Sequence, residues 1–214
     1  MKQNFKGIIF DIDGTLLDSM NVWSDIDVRF LAKRGLRVPD DYLKTVAALG
    51  LKRAAVYTRD LFDLKEELAD IENEWLQMAM DEYRDNVKAK AGAVEYVKKM
   101  AQQGVKMGLA TSGDAELFIP ALQRLGIYEY FDSYTTIKEV SRPKGFPDVY
   151  IKAAQKLGLG VQDCVVFEDI CSAVKGAKDG GFYTVGIYEA HAGEDWQQVQ
   201  SIADHCILSF EELM

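Results

Sequence analysis

From residue 91 onward short apolar runs and helical stretches alternate, and few architectures tolerate that alternation. Strands are predicted at 105–110, 133–137, 164–168 and 182–187, with a last short one at 205–208. Helices are predicted at 93–103, 115–125, 147–157 and 172–179. Gly104, Gly126 and Gly158 stand where three of these helices stop, the place for a left-handed closing residue. Strands joined by crossover helices lie parallel, with helices on both faces of the sheet. Gly7-Ile8-Ile9-Phe10 adds a strand buried on both faces. The predicted fold class is therefore α/β, a doubly wound, mainly parallel sheet.

Residues 18–86 depart from this texture and carry no convincing strand. Trp23, Ile26, Phe30 and Leu31 recur at helical spacing before a stop at Gly35. Further helices are predicted over 40–49, 52–62 and 65–83, the last with Leu68, Ile71, Trp75 and Met78 on one side. Such a stripe is core packing. The expected organisation is an α/β core domain of residues 1–17 and 87–214 with an inserted all-helical cap domain, 18–86. The linkers fall near 17–19 and 86–91.

Composition narrows the partners. The 214 residues, 48% hydrophobic, suffice for one large domain with a satellite. A net charge of −9 disfavours the phosphate backbone of nucleic acids and anionic membranes, so neither is an expected partner. No apolar stretch reaches bilayer-spanning length, and Met1 to Lys6 contains no apolar signal segment. Cys164, Cys171 and Cys206 cannot all pair within the chain, which suits a reducing, cytoplasmic setting. Cys164 opens an apolar run and is expected to be buried. His191 and His205 offer neither a zinc pair nor a Ser-His-Asp arrangement. A monomer is expected.

The chemistry gathers where strands end. Asp11 and Asp13 follow the first strand, and Gly14 turns the chain out of the sheet. Ligands of open α/β sheets bind beyond the carboxyl ends of the strands. Two carboxylates there call for a hard divalent cation, and Mg²⁺ is the usual one where phosphate is handled. A calcium loop needs a Glu at its twelfth position, but Val22 or Ser24 stands there. The strand at 105–110 leads into Thr111-Ser112-Gly113, a candidate anion cradle before a helix. Lys144 sits in a proline-flanked loop entering a helix, and Glu168-Asp169 closes a four-residue apolar strand. Taken singly, a turn, a helix cap and a solvated lysine account for the first three. Together they suggest phosphoryl transfer through an aspartyl-phosphate. Asp11 would attack phosphorus, Thr111 and Lys144 would hold its oxygens, and Asp13 would serve as acid and then base.

In this arrangement the chain resembles the haloacid dehalogenase-like hydrolases over essentially its full length. Asp11-Ile12-Asp13-Gly14-Thr15 is similar to that family's nucleophile loop, Thr111 to its second-motif hydroxyl, Lys144 to its lysine and Glu168-Asp169 to its acidic pair. The resemblance implies Mg²⁺ held by Asp11, the Asp13 backbone carbonyl and Asp169, with Glu168 assisting. Ser112 and Gly113 would bind substrate phosphate. The helical insertion resembles the cap of the β-phosphoglucomutase and phosphoglycolate phosphatase branch, which places Trp23, Arg53 and Lys52 toward substrate. Asp13 argues against dehalogenation. Arg53 stands at the position of the phosphonoacetaldehyde hydrolases' Schiff-base lysine, with Lys52 one residue away. Arg53 also matches a mutase arginine, but Trp23 replaces the mutases' cap histidine and Thr15 is more typical of phosphatases. Gly145 stands where the family has proline, and Ile170 and Ala173 where it has Ser and Gly. The expected function is a Mg²⁺-dependent phosphatase of a small phosphorylated metabolite, with a phosphosugar mutase as the alternative. A receiver-like phosphoacceptor module is shorter and has no cap, and an idle binding protein would not keep so many buried charges.

Overall fold

A computed structural model describes residues 5–193 and 195–214. Residues 1–4, part of the start read above as free of a signal segment, lie outside the described residues. The chain runs β1 (Gly7–Phe10), β2 (Leu17–Asp18), α1 (Val22–Lys33), α2 (Tyr42–Ala47), α3 (Leu51–Leu61), α4 (Leu68–Asp85), β3 (Lys88–Ala89), α5 (Ala93–Gln102), β4 (Lys106–Thr111), α6 (Ala115–Arg124), β5 (Ser133–Thr136), α7 (Asp148–Leu157), β6 (Cys164–Glu168), α8 (Cys171–Asp179), β7 (Tyr183–Ile187), α9 (Asp195–Ile202) and β8 (His205–Ile207). It divides into two compact units, Met1–Ser19 with Val87–Met214, and Met20–Asn86. No helix of the described residues is long and apolar enough to cross a membrane.

The first unit is built on a six-stranded sheet ordered β5-β4-β1-β6-β7-β8, parallel throughout. The chain leaves β1 for β4 and β5 on one side, then returns to β6 on the other. This reversal beside β1 is where such sheets open a crevice at their carboxyl edge. Alternate residues of β1 serve the two faces. Phe10 stacks on Phe167 with ring centroids 5.1 Å apart, and Tyr96 and Phe210 complete that face. Ile9 and Val166 point the other way, into a cluster with Val149, Tyr150 and Ala153 of α7. Both faces of β1 and β6 are buried, as their unbroken apolar runs predict. Cys164 is buried and all three cysteines are free thiols.

The second unit consists of α1 to α4. Ile26, Phe30 and Leu31 of α1 are buried, and Phe30 meets Trp75 edge-on at 5.2 Å. On α4 the buried stripe is Ile71, Trp75, Ala79 and Tyr83, one residue per turn. Leu68 and Met78, predicted on that side, are half-buried.

The element boundaries move for local reasons. The helix predicted over 40–49 is cut to six residues, because Asp41 takes a left-handed conformation (φ 63°) just before α2. That predicted from 65 starts at Leu68, since Glu67 is extended. Val105 and Phe182 are withdrawn from their strands because their N–H groups cap the helices before them, on Met100 and Ala177. Ile137 leaves β5 for a 3-10 turn closed by a Thr136–Glu139 capping box. Gly104, Gly126 and Gly158 all have positive φ at helix ends. Two features went unpredicted. The pair β2–β3 joins Leu17 to Ala89 and Asp18 to Lys88 in antiparallel, and two-residue strands have no periodicity to read. Helix α9 buries only Val199, so its apolar signal is thin.

Candidate active site

Parallel register brings the predicted groups to one edge. Phe10 pairs with Leu109 on β4 and with Phe167 on β6. Asp11 therefore emerges level with Glu168, and its N–H donates to the Phe167 carbonyl (3.0 Å). Thr111 ends β4 and Glu168 ends β6. After Asp11 the chain folds into a tight loop. The N–H groups of Leu16 and Leu17 both donate to the Ile12 carbonyl, and that of Gly14, at φ 83°, donates to the Leu17 carbonyl. The loop returns the Ser19 hydroxyl to Asp13, where it donates to Oδ1 at 2.7 Å. Asp13 Oδ2 lies only 3.0 Å from where a Cβ on Gly113 would sit, so Gly113 allows the two loops to approach.

Lys144 arrives from the loop before α7. Its Nζ donates to Asp11 Oδ1 and to Glu168 Oε1, the latter at 2.6 Å. The Tyr150 hydroxyl, from the buried face of α7, donates to the same Glu168 oxygen at 2.7 Å. Helix α8 packs backbone to backbone on the lysine loop at Gly176. A Cβ there would collide with the Lys144 carbonyl oxygen and stand 2.8 Å from the Gly145 carbonyl carbon. The family's usual glycine position is filled by Ala173, and Gly176 provides the close approach instead. Gly145, by contrast, has nothing nearer its absent side chain than Ser172 O at 4.0 Å.

The charges do not balance. Asp11, Glu168 and Asp169 are 5%, 1% and 1% exposed, and one carboxylate oxygen from each lies within 4.8 Å of the others. Lys144 is the cation bonded to this group. Burial, then the Asp11 charge, pushes the Glu168 carboxyl up to about 7. Burial, then Asp11 and Glu168, holds Asp169 well above its ordinary value. Burial works against the Lys144 ammonium, yet Asp11 and Glu168 together keep it above its usual value. Asp169 Oδ1 accepts the Thr15 hydroxyl at 3.2 Å, while its Oδ2 is buried without a partner. A converging all-oxygen set with excess negative charge and one orphaned oxygen fits a hard divalent cation.

The other predicted residues distribute as follows. The Thr111 hydroxyl is buried and accepts the Gly113 N–H at 2.8 Å, so that N–H, part of the expected cradle, is already engaged. Ser112 is exposed. Trp23 and Arg53 belong to the helical unit. Trp23 is 39% exposed, and Arg53 is exposed with its Nε donating to the Leu49 carbonyl. Sequence reasoning missed Tyr150, Ser19 and Gly176. Tyr150 carries a faint signal, since a tyrosine on an otherwise apolar helix face needs a buried partner for its hydroxyl.

A doubly wound sheet with three buried carboxylates and a lysine at its carboxyl edge is suited to handling phosphoryl groups. Residues 8–187 match the haloacid dehalogenase-like hydrolase family, and the chain belongs to it. Validoxylamine A 7'-phosphate phosphatase of Streptomyces hygroscopicus subsp. limoneus is 28% identical, over 89% of each chain. Hexitol phosphatase A of Escherichia coli (strain K12) is 29% identical, over 85% of this chain and 82% of its own. Among solved structures, a protein assigned as a β-phosphoglucomutase in Thermotoga maritima superposes with a TM-score of 0.84 at 21% identity, over 94% of each chain. At that identity the likeness shows the fold.

Proposed function

We propose that this phosphatase of small phosphorylated metabolites is Mg²⁺-dependent and works through a phosphoryl group carried on Asp11. The observation that carries the reading is the convergence of Asp11, Glu168 and Asp169 around a single lysine, with Asp169 Oδ2 left unmatched. Asp11, Glu168 and Asp169 would hold the ion, with the Asp13 backbone carbonyl. When bound, the ion supplies positive charge that offsets the repulsion between the substrate phosphate and Asp11.

Lys144 holds one Asp11 oxygen and leaves the other to attack phosphorus. The ester P–O bond breaks as the new Asp11 O–P bond forms, and Asp13 gives its proton to the departing alkoxide. Asp13, now a carboxylate, takes a proton from water. The water oxygen attacks phosphorus, the Asp11 O–P bond breaks, and inorganic phosphate leaves with Asp11 restored. The Ser19 hydrogen bond keeps Asp13 oriented for both transfers. Thr111, with Ser112, is assigned to the phosphate oxygens, and the Gly113 N–H orients the Thr111 hydroxyl. Met20–Asn86 is read as the cap that selects substrate, through Trp23 and Arg53. Both relatives named above are phosphatases, which supports hydrolysis over the mutase alternative.

Asp11→Asn tests the reading. Mg²⁺-dependent hydrolysis of p-nitrophenyl phosphate should fall by about a thousandfold or more with folding retained. Turnover within about tenfold of the parent would remove Asp11 from the role of nucleophile.

A further inference from the structure

A cavity of about 380 Å³ lies at the amino edge of the sheet, opposite the edge that carries Asp11 and Glu168. It is enclosed by the starts of β1 and β6, by α5 and by the 3-10 turn at Phe210–Leu213. Ile8, Met100, Val105 and Val165 give it apolar walls. Tyr96, Lys99 and Gln103 line it on successive turns of one face of α5 and its end. Tyr96 is 3% exposed, and its ring is fixed against Phe10, Phe167 and Phe210, with centroids 6.3, 5.8 and 5.4 Å away. Its hydroxyl has no hydrogen-bond partner among the described residues, and burial alone pushes the phenol up to about 12, so it stays a donor at neutral pH. Unlike the Trp75 indole N–H, this hydroxyl is not sealed from solvent, and the cavity is its opening. The Lys99 ammonium donates to the Leu213 carbonyl at 3.1 Å and has no carboxylate partner among the described residues, which leaves two of its three N–H bonds free. Glu212, the acid of the lining, is turned to the backbone, where its Oε1 accepts the N–H groups of Leu208 and Ser209. One cavity therefore joins apolar walls to an unmatched phenol and an ammonium without a counter-ion.

We infer that this cavity binds a compact carboxylic acid with an apolar body, its carboxylate accepting the Tyr96 hydroxyl and pairing with the Lys99 ammonium. A carboxylate only accepts hydrogen bonds, so it answers both donors and brings none of its own to satisfy. Both bonds to it are charge-assisted, the stronger kind. The hydrocarbon leaves water for the walls at Ile8, Met100, Val105 and Val165. The packed Tyr96 ring presets the hydroxyl, so little order is lost on binding. An amine would meet Lys99 with like charge, and an inorganic anion has no body for the apolar walls to cover. The inference goes beyond the hydrolytic reading and does not depend on it.

Calorimetric titration of the full chain with 3-phenylpropanoate tests it. One equivalent should bind, about tenfold tighter than 3-phenylpropan-1-ol, which lacks the charge. Lys99→Gln, which keeps a good helix former in α5, should erase that difference. Tyr96→Phe keeps the ring packing and should weaken the acid by about fivefold. Lys144→Gln, checked as folded by its melting transition, removes the cation of the carboxyl edge and should bind the acid as the parent does. Absence of binding, equal affinity for acid and alcohol, unaltered binding in Lys99→Gln or Tyr96→Phe, or loss of binding in folded Lys144→Gln would each overturn the assignment, the last by moving the acid to the carboxyl edge of the sheet.

Discussion

Glu168 Oε1 is held by two donors, the Lys144 ammonium and the Tyr150 hydroxyl. The first gives charge and the second direction. Removing the Tyr150 hydroxyl alone leaves Glu168 Oε1 held by Lys144 only, so the carboxylate set loses part of its fixed geometry. Tyr150→Phe keeps the ring that packs on Phe182 and should leave the fold intact. The Mg²⁺ concentration needed for half-maximal thermal stabilisation should rise by about tenfold, the usual cost of losing an outer hydrogen bond to a ligand. An unchanged Mg²⁺ requirement would make Tyr150 a packing residue only. A second residue-level expectation concerns Asp27. Burial raises its carboxyl above the unfolded value near 3.8 to about 6, with the Tyr42 hydrogen bond working the other way. The folded chain thus holds this proton more tightly than the unfolded chain. Its contribution is fully present below pH 3.8 and is lost as pH rises through about 6. Asp27→Asn should therefore raise the melting temperature by about 2–4 °C at pH 7.5 and by little at pH 4. A gain that is equal at both pH values would contradict the assignment.

Among the elements, α8 matters most to the site because it sets the path of the lysine loop. Its backbone touches Lys144 and Gly145 where Gly176 has no side chain. Gly176→Ala must push the helix and the loop apart, at a cost of about 1–3 kcal/mol in stability. A shift of Lys144 by about 1 Å should cost about a hundredfold in turnover, well beyond what the stability loss explains. Gly145→Ala meets open space and should be nearly silent in both assays, so the pair separates loop position from local flexibility. Equal effects of the two substitutions would remove α8 from this role. This contact shows where sequence reading ran short. Ala173 stands at the family's glycine position, and nothing local marks Gly176, three residues on, as the substitute. The strands β1 and β6 were legible because burial on both faces leaves an unbroken apolar run. β2 and β3 were not, since each pairs across about seventy intervening residues and is only two residues long.

In the molecule as a whole, chain order and spatial order differ, and the site exists because of that difference. Asp11, Thr111, Lys144 and Glu168-Asp169 are scattered over most of the sequence, and parallel pairing of β4, β1 and β6 returns three of these groups to one edge. This convergence was legible once the strands were found, because every β-to-α turn of a parallel sheet falls on the same side. Which hydroxyl orients which carboxylate was not legible. Ser19 on Asp13, Thr15 on Asp169 and Tyr150 on Glu168 depend on loop paths and rotamers that no spacing encodes. All of these bonds serve a single claim, that Asp11 takes the phosphoryl group and Asp13 moves the proton. The most direct measurement is acid quench of the wild-type enzyme a few milliseconds after mixing with Mg²⁺ and substrate, followed by mass mapping of the phosphorylated peptide. The phosphoryl group should sit on Asp11 and disappear on longer incubation. A label on Asp13 or elsewhere, or phosphate released with no enzyme-bound label at any time, would contradict it.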